Sequence, residues 1–512
     1  MTEDNEKGLK MKGSSTIYTI SQTGDQDIDG VLMGYKWGQS ITYAFPDAGT
    51  DYSYRSDLHE PTNGFSQLSS ALQNVFKFAI EQDYGNTAND GFSVEGFTNL
   101  SATATTDEAH ANIRAANSDQ VGVSGTAAYT YDLTNTPADT AGDMWFDTTD
   151  WLGTTPGTFG YRLIMHEMGH ALGLKHGHTS ETNSTGTWSA LPSNHDGSEW
   201  SVMTYHGYPG DTSTADDGAP AQTWMMDDIS ALQTLYGADY TTNSGNTTYS
   251  WAGSGDGRTY VNGVAAWGAT NSNDIFMTIW DGGGNDTYDF SAYSSIVEIA
   301  LAPGSSSVIH NNQNVYLGGG ANNYADNVYN ARLFQNNTAS MIENAIGGSG
   351  DDIITGNSIG NSLQGNAGND TLTGYDSGDT LNGNSGDDEL NGNAGYDNLY
   401  GGDGYDHIYG GDGNDYLDGG QYLDLLTGGN GVDTFAFNKV SSTSNSDFVA
   451  DFVDGTDLLK VTGTGLSSWS QLSVYASDVY GDCVISLGGG NQFTIENTLK
   501  SQLSGADFSL IN

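Results

Sequence analysis

The chain has 512 residues, and 14 Lys and Arg stand against 64 Asp and Glu, for a net charge of −50. A surface this acidic repels nucleic acid and anionic membranes and attracts cations, so neither nucleic-acid binding nor membrane insertion is expected. Charged residues make up only 15% of the chain and glycines number 71, which separates it from a disordered acidic polymer and leaves length for two or more domains.

In chain order, residues 1–12 are polar and charged, without the apolar stretch of a cleaved signal peptide, and no apolar run reaches transmembrane length. Export is therefore expected to need no N-terminal signal. Residues 41–45 alternate like a strand, and residues 65–82 carry Leu68, Leu72, Val75, Phe76, Ala79 and Ile80 at helical spacing, the signature of a core-facing helix. A second strand is expected over 111–114 and an extended segment over 125–131. A helix over 225–236 turns Met225, Ile229, Leu232 and Leu235 inward and stops at Gly237. Cys483 is the only cysteine, so no disulfide forms within the chain.

Between these elements His166, Glu167, His170, Gly173 and His176 stand in the order His-Glu-x-x-His-x-x-Gly-x-x-His. On a helix, His166 and His170 are four apart and share a face, while Glu167 points to the neighbouring side, where it reaches a metal-bound water without binding the metal. Gly173 lets the chain leave the helix. His176 then returns as a third imidazole and leaves the fourth zinc position open, as a catalytic zinc site requires. His178, His195 and His206 lie near but off ligand spacing and are expected to be structural or solvated.

About thirty residues on comes Ser201-Val202-Met203-Thr204-Tyr205. Together with the three-histidine motif it resembles the Met-turn of metzincins. The resemblance makes Met203 the floor beneath the imidazoles, and likeness to the serralysin branch places the Tyr205 hydroxyl near the zinc, where it can turn toward an oxyanion. It also implies an edge strand that pairs with substrate backbone, for which residues 127–129 are the candidate.

From residue 347 to 436 a nine-residue unit, Gly-Gly-x-Gly-x-Asp-x-U-x with U apolar, recurs ten times without a slip. The apolar position is Ile354, Leu363, Leu372, Leu381, Leu390, Leu399, Ile408, Leu417, Leu426 and Phe435. Glycines are expected to supply positive-φ turns. The sixth position offers Asp352, Asp370, Asp379, Asp388, Asp397, Asp406, Asp415 and Asp433 as oxygen ligands suited to Ca²⁺. Asn361 and the copy containing Tyr422 depart from the pattern. The array resembles the RTX calcium-binding β-roll, in which two units make one turn, so ten imply about five turns stacked at roughly 4.8 Å. Asp281, Gly283, Asp286 and Glu343 lie in segments that resemble serralysin calcium-binding stretches. Residues 448–457 resemble the cap of such a roll, and residues 506–510 resemble a tail read by type I secretion machinery.

Taken together the chain resembles a serralysin-type zinc metalloprotease. The resemblance implies an α+β chain: a possible short propeptide over 1–40, a metzincin catalytic domain over 41–240, a junction over 241–346, the all-β parallel β-roll over 347–436 and a C-terminal cap over 437–512. It implies one catalytic zinc, several structural calcium ions, protein or peptide substrates, type I export to the extracellular space and a monomer. Hydrolysis would run through a zinc-activated water, with Glu167 as base and Tyr205 at the oxyanion. The competing reading is an RTX adhesin or matrix-binding protein with a vestigial protease domain, which an intact Glu167 disfavours.

Overall fold

The computed structural model describes residues 9–10, 16–52, 59–123, 126–133, 140–148, 153–212, 221–253, 257–268, 274–310, 314–317, 324–439 and 445–511. The segment 1–12 lies almost wholly outside the described residues, as does Gly125 of the expected extended stretch. The fold is mostly β with few helices, and it divides into two compact units.

The first unit comprises Met1–Thr247, Gly255–Gly284 and Asn312–Ser340. Its sheet contains β1 (Ser40–Ala44), β2 (Ser101–Ala104), β3 (Ile113–Asn117), β4 (Ala128–Thr130) and β5 (Asp143–Phe146), in spatial order β2-β1-β3-β5-β4. These five run parallel to their neighbours except β4, which is antiparallel to β5 and is the end strand among the described residues, and the short strand Ser66–Gln67 pairs antiparallel with β3. A buried two-point pair fastens β3 to β5, with Arg114 donating from Nε and Nη2 to the two carboxylate oxygens of Asp143, each at 2.6 Å.

The main helices are α1 (Ser70–Ile80), α2 (Phe159–Leu172) and α3 (Met226–Tyr236). Helix α1 is shorter than the apolar spacing suggests. The Ser69 hydroxyl accepts a bond from the Leu72 N–H at 3.3 Å and sets the start at Ser70, so Leu68 is buried just ahead of the helix and not within it. Helix α2 is buried almost throughout, and Gly173 ends it at φ +111°, where a Cβ would lie 2.3 Å from the Tyr35 carbonyl oxygen. Met225, Ile229, Leu232 and Leu235 are all buried, as their spacing requires.

The second unit comprises Thr248–Ser254, Asn285–Asn311 and Met341–Asn512. Its nonapeptides fold into two parallel ladders in which each strand pairs with the one eighteen residues on, so two units make a turn. One ladder aligns Leu363, Leu381, Leu399, Leu417 and Phe435, and the other aligns Ile354, Leu372, Leu390, Ile408 and Leu426. None of these side chains is more than 2% exposed, so one residue per repeat builds the whole roll interior.

The glycines divide their work differently from the expectation. The first glycine of a unit provides room, not positive φ: a Cβ on Gly410 would stand 2.5 Å from both the Asp415 Oδ2 and the Gly428 carbonyl oxygen. Positive φ falls on the second and fourth positions, +114° at Gly411 and +123° at Gly368, and Asn384 and Asn393 serve at the second position in other copies at +73° and +74°. Beyond the repeats, Leu458–Thr462 and then Phe508–Ile511 continue one ladder in parallel, while Ser446–Val449 and Asn491–Ile495 continue the other.

Candidate metal centre and carboxylate ladder

Helix α2 carries two of the three motif imidazoles inward, and the turn at Gly173 returns the third. One ring nitrogen from each of His166, His170 and His176 lies within 4.8 Å of the others. The second nitrogens explain the orientation. His166 donates from Nδ1 to the Val202 carbonyl oxygen at 2.8 Å, and His170 donates from Nδ1 to that of Leu174 at 3.0 Å. A carbonyl can only accept, so both Nδ1 atoms carry the proton and both Nε2 atoms present lone pairs to the centre.

Two of those nitrogens, His170 Nε2 and His176 Nε2, are 3.2 Å apart, and the buried His166 Nε2 has no hydrogen-bond partner. Two nitrogens each about 2.0–2.1 Å from a tetrahedral cation stand about 3.3 Å apart, so the donor set fits zinc. Burial, reinforced by the neighbouring imidazoles, pushes the His166 pKa well below its ordinary value, and burial brings that of His176 down to about 2. Both rings are neutral at physiological pH, the state in which an imidazole can bind a metal.

Glu167 is 4% exposed, and its Oε2 accepts from the Thr130 hydroxyl at 2.7 Å. Met203 is fully buried, with its sulfur where a Cβ on Gly169 would approach to 2.4 Å, directly against α2 between the two helical histidines. The Tyr205 ring packs 4.7 Å from His176 and 4.6 Å from His178. His178 also accepts the Tyr205 backbone N–H at 3.3 Å, His195 stacks on Trp200 at 3.8 Å and pairs with Asp27, and His206 pairs with Asp196.

Three contacts at this centre have no signal in the motif. Thr130 reaches Glu167 from β4. Asp228, on α3, accepts from the Ser201 hydroxyl, the Val202 N–H and the Met225 N–H at 2.6, 2.8 and 3.1 Å, and so fixes the turn whose Val202 carbonyl orients His166. Lys175 is fully buried and donates to the carbonyl oxygens of Gly30, His176 and Thr179 at 2.5, 3.2 and 2.7 Å, pinning the backbone of the third imidazole.

In the roll, the repeat aspartates form a ladder of their own. The Oδ1 of Asp370 accepts from the Asp352 N–H, and the same bond recurs at Asp379, Asp388, Asp397, Asp406, Asp415, Asp424 and Asp433, each from the residue eighteen positions earlier, at 2.7–3.0 Å. The Oδ2 atoms of Asp370, Asp379, Asp388, Asp397, Asp406, Asp415 and Asp424 are buried without a hydrogen-bond partner. Rows of buried, unsatisfied carboxylate oxygens beside backbone carbonyls fit hard cations such as Ca²⁺. Asp352 differs, because its Oδ1 and Oδ2 accept from Val297 and Gly348. Asp424 shares the common geometry although Tyr422 breaks its repeat. Asp281 accepts the Gly283 N–H at 2.7 Å in the first unit, and Glu343 accepts the Asp286 N–H at 2.7 Å in the second.

The three converging imidazoles and the ladder of buried carboxylates offer donor sets that fit metal ions, and comparison with known proteins places the chain in a family. The family described as Peptidase M10 serralysin C terminal matches residues 238–478. The chain is 32% identical over 251 residues to Metalloprotease AprA of Pseudomonas entomophila (strain L48), covering 47% of this chain and 46% of that protein. It is 35% identical over 230 residues to Serralysin of Proteus mirabilis, at 44% and 42% coverage. With Serralysin G of Dickeya chrysanthemi it shares 31% identity over 364 residues, 69% of this chain and 67% of that one. The chain belongs to the serralysin family, although it spans about half the length of the first two relatives.

Proposed function

We propose that this chain is a secreted, zinc-dependent, calcium-stabilised endopeptidase that hydrolyses protein substrates. The observation that carries the reading is the convergence of three imidazole nitrogens beside a buried glutamate. In this reading residues 41–240 form the metzincin catalytic domain and residues 347–436 the calcium-binding RTX roll. Residues 241–346 join the two, residues 437–512 cap the roll, and residues 1–40 are an N-terminal segment that includes a short propeptide.

His166, His170 and His176 would hold the zinc. Bound there, zinc supplies a Lewis acid that polarises the scissile carbonyl and acidifies a water. Glu167 takes the proton of the attacking water and passes it to the leaving amine. The Tyr205 hydroxyl donates to the developing oxyanion, and Met203 floors the imidazoles. Strand β4 offers its open edge to the substrate backbone, one residue beyond the expected 127–129. The roll aspartates, with Asp281, Gly283, Asp286 and Glu343, take up calcium.

Export by type I machinery fits the same scheme. Phe508–Ile511 is a ladder strand paired with Leu458–Thr462, so a machine that reads this tail does so before the roll closes. The chain acts as an extracellular monomer.

Glu167→Ala tests the assignment. It is expected to keep zinc, measured by elemental analysis, while losing nearly all casein turnover on the same sample. Turnover at the wild-type rate would sink the assignment of Glu167 as base, whereas a wild-type protein without casein turnover would favour the adhesin alternative.

A further inference from the structure

Strand β4 does more at this centre than present an edge. Its side chains alternate, and the two faces are held by two different carboxylates. On one face Tyr129 and Tyr131 both donate to Oε1 of Glu60, which is 6% exposed, the Tyr131 bond measuring 2.8 Å. On the other, the Thr130 hydroxyl lies 2.7 Å from Oε2 of Glu167 and 3.0 Å from the Glu167 backbone carbonyl oxygen. One hydroxyl therefore touches both the carboxylate of Glu167 and the helix backbone from which that carboxylate springs.

We infer that Thr130 is a positioning residue for Glu167, and that through it the strand proposed to pair with substrate sets the orientation of the general base. The inference rests on the reading of Glu167 as base. A glutamate reaches its task through three rotatable bonds, and burial alone does not choose among their rotamers. The bond from Thr130 engages Oε2, so the carboxylate plane is set by a residue on the strand. Glu60, by holding Tyr129 and Tyr131, fixes the strand from behind and makes Thr130 a stationary support.

The experiment replaces Thr130 with Val, which keeps the branched shape suited to a strand and removes the donor, and with Ser, which restores the hydroxyl. Thr130→Val is expected to lower kcat about tenfold, the effect of losing one hydrogen bond to a charged group, with KM within about twofold and zinc content unchanged. Thr130→Ser should recover most of kcat. If the Val protein fails to fold, Thr130→Ala takes its place.

A second readout needs neither metal nor turnover. In the zinc-free protein the infrared difference between wild type and Glu167→Gln isolates the Glu167 carboxylate band, which should move when Thr130 becomes Val. A wild-type kcat in the Val variant, a Ser variant no better than Val, or an unmoved band would each overturn the inference. If Glu167→Gln itself retained turnover, the base assignment would fail, while the infrared shift would still report the bond.

Discussion

Removing calcium should expose a pH response opposite in sign to that of an ordinary carboxylate-rich protein. In the folded roll, burial, reinforced by neighbouring carboxylates and opposed by the backbone N–H each accepts, raises Asp370, Asp379, Asp388 and Asp406 from 3.8 to about 7. Asp415 and Asp433 rise to about 6 for the same leading reason. A group whose folded pKa lies above its unfolded value supports the fold fully below the unfolded pKa and loses that support as pH climbs through the folded one. The metal-free roll is thus best supported near pH 4 and weakens up to about pH 7. A tenfold change in a group's proton affinity between the folded and unfolded chain is worth about 1.4 kcal/mol. Discounted for solvent reaching the turns, about 1 kcal/mol per aspartate is a conservative figure, so Asp370, Asp379, Asp388 and Asp406 together cost about 4 kcal/mol at neutral pH. Against a domain stability of about 5–15 kcal/mol that is decisive. The assay is thermal melting of the full chain by far-ultraviolet circular dichroism, after calcium removal by chelating resin, from about pH 5 to about pH 8.5. The metal-free β signal should melt at lower temperature as pH rises. With millimolar calcium the trend should reverse, because protons then compete with the cation for the same oxygens. A metal-free midpoint that rises with pH, or one equal with and without calcium, would refute the argument.

Two further outcomes are expected. Tyr205→Phe should lower kcat more than it raises KM, because the hydroxyl acts on charge that develops only in the transition state; steady-state kinetics on a peptide substrate checks this. Gly410→Ala should destabilise the roll by about 2 kcal/mol or more and weaken calcium binding, read by calcium titration of the melting midpoint, since its Cβ collides with both Asp415 and the Gly428 carbonyl. Gly245→Ala, where a Cβ meets open space, is the matched control.

What is legible in the sequence is what repeats or what is local. The three-histidine spacing closes within one helix and one turn, so helical geometry and Gly173 bring His166, His170 and His176 near one another. The roll is legible because a nine-residue period with one apolar residue per unit has few ways to bury that residue, and pairing at eighteen residues is the one the structure adopts. The start of α1 is not legible from spacing, because Leu68 satisfies the helical period while the cap at Ser69 outweighs it. The role of the first repeat glycine is hidden too, since a sequence shows a glycine but not whether φ or space demands it. Tyr422 breaks the repeat that holds Asp424 and so masks it, yet Tyr422 adopts φ +83° and the carboxylate keeps its place in the ladder.

Thr130, Lys175 and Asp228 are invisible in the sequence for one common reason, and it says where such residues should be sought in other chains. Each ties the centre to a distant part of the sequence: Thr130 reaches Glu167 across 37 residues, Asp228 reaches Ser201 across 27, and Lys175, which holds the His176 carbonyl, reaches Gly30 across 145. None is itself a ligand, so none is constrained to the spacing that makes a motif. What constrains them is the need of a buried polar group for a partner, and all three satisfy backbone atoms that carry no side-chain signature at all. Asp228 accepts from Val202 and Met225, and Lys175 donates to three carbonyls. A motif therefore reports the atoms that face the metal, while the residues that hold those atoms still answer to the backbone around them. The fold has to be known before they can be read, and in this chain they come from β4, α3 and the turn after α2, three elements that meet only once the first unit has closed.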